Sequence, residues 1–178
     1  MPTPSNPCLQ PQPEPWLRGI VPGFNPVIEH LLRASEQIRE DCGAAIGPLT
    51  TSQLWAKPYN LTSAGFHAKH LAGSTHRLCT YLEGNLLTSA QLAVIPGESA
   101  ADDTAAELIA QLQHAFDRYE ALVRNLRPEQ FSHIREIGRQ RLQTTAISLA
   151  IHIAEHGQRH TGQVVSAAKL AQAFTTAP

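Results

Sequence analysis

The 178-residue chain contains no apolar run near the roughly 18 residues that would cross a bilayer, so no membrane-spanning helix is expected. Neither sign of charge is in excess. Fourteen Lys and Arg against fifteen Asp and Glu give a net charge of -1. That removes the electrostatic reason to expect a nucleic acid or an acidic membrane as partner. Cysteine is scarce, with Cys8, Cys42 and Cys79 odd in number and outside metal-ligand spacing. Neither a disulfide framework nor a cysteine-zinc site is expected, and a reducing cytoplasm is the expected setting. There is no glycine-rich phosphate loop, no arguable Ser-His-Asp order, and no aromatic-basic alternation of the RNA-binding kind. The basic runs "RNLR" and "REIGRQR" read as solvated loop. The opening "MPTPSNPCLQPQPEPW" lacks both the basic segment and the apolar stretch of a secretory signal. Its prolines predict an extended or disordered arm over residues 1–15, leaving 16–178 as a single domain.

Histidine is what the chain does have. Of nine, six fall in two windows: His67, His70 and His76 in one, His152, His156 and His160 in the other. His30, His114 and His133 are scattered and read as surface or helix-packing residues.

Four stretches carry helical periodicity. The first starts at about Pro26, a good first-turn residue, and runs to about Ala45, with Val27, Leu31, Leu32 and Ile38 as its apolar stripe. "GPLTTSQLW" reads as a turn with a short helical piece capped by Thr51 or Ser52. The second helix opens near Thr62 or Ser63 and ends near Glu83, before Gly84 and Asn85. The third spans about Ala101 to Leu126 and stops at Pro128. The fourth spans about Thr144 to Phe174. Residues 131–145 have no clear period and read equally as an irregular loop or a short hairpin. Four long helices without a strand set predict an all-α four-helix bundle. Two long connections leave strict up-down-up-down order open.

Helical phase then separates the histidines. With Ala146 at zero and about 100° per residue, Leu149, Ile153, Val164, Ala167, Ala171 and Phe174 share one arc. His156 and His160 fall inside it, at about 280° and about 320°. His152 sits on its edge, and Glu155 and Arg159 lie outside. All three cannot share an ion, because His152 and His160 are separated by about 12 Å of helix rise. On the second helix Leu71, Ser74, Leu78, Tyr81 and Leu82 share an arc with both His67 and His70, while His76 points the opposite way. Spacing does not choose between His67 and His70. Histidines on the apolar faces of two different helices point to a metal site in the bundle core, where such sites are built.

Two protease motifs fail. "HIAEH" matches H-x-x-E-H with Glu155 as base, but that chemistry needs a larger scaffold and a further acidic ligand, and would use the least inward histidine. "HGQRH" has Gly157 where H-E-x-x-H has its glutamate.

The stretches "FHAKHLAGSTHRLCTYLEG" and "EHGQRHTGQVVSAAKL" together resemble the DinB-like superfamily of bacterial metal-binding four-helix bundles. "EPWLRGIVPGFNPVIEHLL" and "LWAKP" resemble one branch of it, so the likeness covers nearly the whole chain after the arm. It implies a divalent metal, zinc or nickel, held by one histidine of the second helix and two of the last. Residue by residue these are His70, His156 and His160, with His67 as the runner-up or a cavity-lining group. The resemblance also implies a reaction, though less sharply. A thiol-dependent S-transferase acting on small electrophiles comes first, with a low-molecular-weight thiol as partner. A metal-dependent hydrolase is the second reading and a non-catalytic metal-binding stress protein the third. No clear acid-base partner is legible, which slightly favours thiol transfer. Ile147, Ile151 and Val165 form a second apolar facet on the last helix, expected to pack under the 128–145 connection or to pair two copies as a homodimer.

Overall fold

The computed structural model describes residues 12–175. Most of the proline-rich arm, with Cys8, lies outside the described residues. Among the described residues there are six α-helices and one two-stranded hairpin. Helix α1 is Pro26–Ile46, α2 Thr51–Trp55, α3 Ala64–Leu82, α4 Ser89–Ala93, α5 Ala105–Arg124 and α6 Ala146–Thr175. Strands β1, Ile134–Ile137, and β2, Leu142–Thr145, pair antiparallel with Ile134 opposite Thr145. No described helix is long and apolar enough to cross a membrane.

The helices start where side chains can satisfy their free amides. Asn25 accepts from the Val27 amide and Pro26 supplies the preset first turn of α1. Ser63 accepts from the Phe66 amide at 3.2 Å to open α3. Thr104 and Glu107 form a reciprocal capping box on α5. Thr50 and Gln53 do the same for α2, so the cap is Thr50 and not the expected Thr51 or Ser52. At the start of α6, Thr145 Oγ1 accepts from the Ser148 amide, while the first two amides of the helix donate to His133 and Phe131 carbonyls. The open choice for residues 131–145 thus resolves as a hairpin, and that hairpin anchors the last helix.

Helix α1 packs against α5 and α6, and α3 packs against the same two. The first two long helices therefore lie on one diagonal of the bundle, which the long connections through α2 and the hairpin allow. Helices α3 and α6 are neighbours, so their histidine-bearing faces meet. The core joins Ile38, Leu71, Leu108, Phe116, Tyr119, Ile153 and Val164, all fully buried. Two expected core residues are not in it. Val27 is exposed and Ile28 is buried in its place, because Val27 lies at the edge of the stripe in the first turn of the helix, where no neighbour covers it. Phe174 is exposed near the end of α6, edge-on to Tyr59, beyond the point where neighbours cover the arc. The second facet of α6 divides: Ile147 packs against the core, whereas Ile151 is exposed.

Gly157 lies between the two inward histidines of α6 and lets that helix close on its neighbours. A Cβ there would collide with Ile38 Cδ1 and crowd Phe116 Cζ at 3.4 Å. Alanine would add about 1 kcal/mol of helix propensity, but overpacking costs about 1–3 kcal/mol. Gly157→Ala is therefore expected to lower stability by about 1 kcal/mol in urea denaturation. A gain in stability would show that the contact is slack.

Candidate metal centre

Helix α3 contributes His70 and helix α6 contributes His156 and His160. The last two lie one turn apart with their rings tilted at 50° and ring centroids 4.5 Å from each other. His70 stands across the helix interface, 4.8 Å from His160 and 5.6 Å from His156 by ring centroid. One nitrogen from each of the three lies within 4.8 Å of the other two. No nitrogen then need lie more than about 2.8 Å from a shared point, against zinc-nitrogen bonds of about 2.0–2.1 Å. Small side-chain rotations close that gap.

Other features also fit a cation. The donor set is three imidazoles with no competing ammonium or guanidinium among them. Nδ1 of both His156 and His160 is buried without a hydrogen-bond partner among the described residues, although buried polar atoms are ordinarily paired. Burial pushes both imidazoles down to about 4, with the charges of neighbouring histidines and Arg159 adding to the effect. Both are therefore neutral at pH 7, as a metal ligand must be. The His70 side chain keeps 28 % of its surface open, so solvent and small molecules reach the site.

The other histidines fall where helical phase put them. His152 is exposed, with its ring 6.0 Å from that of His156. Glu155 is exposed too, which removes it as the base of a protease motif. His76 faces away and stacks with His114. His67 is half-buried beside the group, its ring 5.5 Å from that of His160 and edge-on to Phe66. Its Nδ1 is likewise without a partner among the described residues. Burial first, then the nearby His70 charge, lowers its pKa. Of the two inward candidates on α3, His70 joins the cluster of three.

Sequence reasoning missed Glu98. It lies on the 3-10 turn Ile95–Ser99, where it alone is buried, and accepts a hydrogen bond from His70 Nδ1 at 2.8 Å. Its other oxygen pairs with Arg77, one helical turn beyond Gly73 on α3. Burial pushes the Glu98 carboxyl up, but the His70 and Arg77 bonds outweigh it, and the net shift is downward. Glu98 is thus a titratable group beside the site that sequence reasoning did not supply, and both its oxygens are spent on His70 and Arg77.

Among the described residues cysteine chemistry has no support. Cys42 and Cys79 are buried free thiols, pushed up by burial to about 11 and about 12, whereas a reactive cysteine needs a lowered pKa and access.

The model of the DinB superfamily matches residues 34–164, which include all three clustered histidines. Among solved structures, YfiT from Bacillus subtilis matches with a TM-score of 0.60 and 17 % identity. The match covers 88 % of this chain and 93 % of that one. YfiT is described as a probable metal-dependent hydrolase with an unusual four-helix bundle topology. No curated protein matches the chain.

Proposed function

Since the chain belongs to the DinB superfamily, we propose that it is a divalent-metal-dependent hydrolase in which His70, His156 and His160 hold the ion. The observation that carries this reading is the convergence of three imidazole nitrogens from two helices, two of the rings being neutral at pH 7. Zinc or nickel suits an imidazole donor set. Such an ion supplies Lewis acidity, lowering the pKa of a bound water towards about 7 and deprotonating a bound thiol.

Hydrolysis also needs a group to move protons, and His67 is placed for it. The ring is half-buried beside His160 and its lowered pKa leaves it free to accept a proton from the attacking water. The expectation of thiol transfer comes from the family resemblance, and the lack of a legible acid-base group favours it only slightly. It keeps the same ligand set, but none of the residues described around the site is of a kind that would recognise a thiol. The description of YfiT as a probable metal-dependent hydrolase favours the same choice. The two buried, free thiols suit the reducing cytoplasm in which we place the protein.

Activated esters and amides test the reading. Turnover without added thiol, abolished by a chelator and restored by Zn2+, is expected. His67→Ala should lower kcat by about 10²–10⁴-fold, the usual share of a general base, while leaving the metal content unchanged. Turnover that requires a thiol would establish transfer instead.

A further inference from the structure

We propose that Glu98 is the positioning residue of this centre, holding His70 in the one tautomer and ring orientation that leave Nε2 for the ion. The inference rests on the reading of His70 as a metal ligand and goes beyond it by assigning what aims that ligand.

Residues 92–100 are exposed except for Glu98, which is 8 % accessible. Apolar packing does not explain why a carboxylate is the one side chain that this segment buries. Its contacts do. Oε2 faces His70 Nδ1 at 2.8 Å and Oε1 faces Arg77 Nη1. The Arg77 guanidinium pairs with the same carboxylate, and a carboxylate can only accept. His70 Nδ1 must therefore carry the proton, leaving Nε2 with its lone pair free. Gly73 makes room for this, since a Cβ at that position would strike Glu98 Oε1. Phe66 lies parallel to the His70 ring at 5.8 Å and 7°, which fixes the plane in which Nε2 turns. Ligating histidines that donate their second N–H to a carboxylate are oriented and made more basic by it.

Glutamine at position 98 separates this role from simple tethering of the segment. Arg77 has only donors, so the amide oxygen of Glu98→Gln must turn to Arg77 and its NH2 to His70. His70 Nδ1 then has to accept, which moves the proton to Nε2, where it opposes binding of the ion. A nearly isosteric change thus inverts the tautomer.

Long-range 15N–1H spectra of the chelator-stripped full-length protein read this directly. Recorded at about pH 8.5, above the ordinary imidazole pKa, they can be assigned by the signals lost in His70→Ala. The wild-type His70 is expected to be protonated on Nδ1, and the Glu98→Gln variant on Nε2. Zn2+ affinity, measured against a competing chelator, is expected to fall about 10–100-fold in the variant with the helical circular dichroism unchanged. A wild-type His70 protonated on Nε2 would overturn the proposal, and this reading needs no variant to fold. So would a folded Glu98→Gln protein that binds Zn2+ within about twofold of wild type, a result that leaves the three-histidine site intact. Failure of the wild type itself to bind Zn2+ would overturn both readings.

Discussion

His160→Ala is expected to weaken Zn2+ binding by roughly a hundred- to a thousandfold. Four-ligand zinc sites in small peptides bind with about 10–16 kcal/mol, or about 2.5–4 kcal/mol for each ligand, and each 1.4 kcal/mol is about tenfold. His160 is the imidazole nearest both partners, at 4.5 Å from His156 and 4.8 Å from His70 by ring centroid. Its removal therefore leaves two ligands on different helices with nothing joining them. The fold should survive the change. The ring is only half-buried, alanine favours the helix, and an unpartnered buried nitrogen is lost with it. Competition with a chromophoric chelator reads the affinity and circular dichroism the fold. Binding within about threefold of wild type would remove His160 from the ligand set.

The metal-free protein should lose stability steeply as pH falls from about 6.5 to about 4. His156 and His160 titrate near 6.5 when unfolded and near 4 in the bundle. Above 6.5 both states are neutral and the bundle has its full stability. Between the two values the unfolded chain takes up protons that the folded chain refuses, so unfolding is favoured as pH drops. Below about 4 the loss is complete. At 1.36 kcal/mol per unit, reduced for the half-exposed state of the rings, each contributes about 1–2 kcal/mol. The pair then contributes about 2–4 kcal/mol. The carboxylates held low by partners, Glu40 and Asp102 among them, give way below their ordinary range and so at lower pH. Thermal unfolding of chelator-treated protein across this range measures the effect. In His156→Ala the slope should be shallower, and an identical slope would assign the acid sensitivity elsewhere.

The positions of the inward histidines were readable because helical phase is geometric. Once Leu149, Ile153 and Val164 define the buried arc of α6, His156 and His160 fall inside it and His152 does not. The same reasoning failed at Val27 and Phe174, where a helix end leaves the arc without a neighbour to cover it. Phase also left His67 and His70 tied, since both face inward on α3; the packing of α3 on α6 separates them. The α2 cap was legible in principle, because T-x-x-Q from Thr50 to Gln53 is a capping-box pattern, and Thr88 to Gln91 repeats it at α4. Glu98 was not legible. It meets His70 across 28 positions, from a Pro-Gly turn without periodicity, and only tertiary packing brings the carboxylate to the ring.

Elemental analysis of purified protein tests the central claim most directly, comparing wild type with His70→Ala, His67→Ala and His152→Ala. A full equivalent of divalent metal is expected in wild type, in His67→Ala and in His152→Ala, with none retained by His70→Ala. Metal retained in full by His70→Ala, or lost instead from His67→Ala, would contradict the site described.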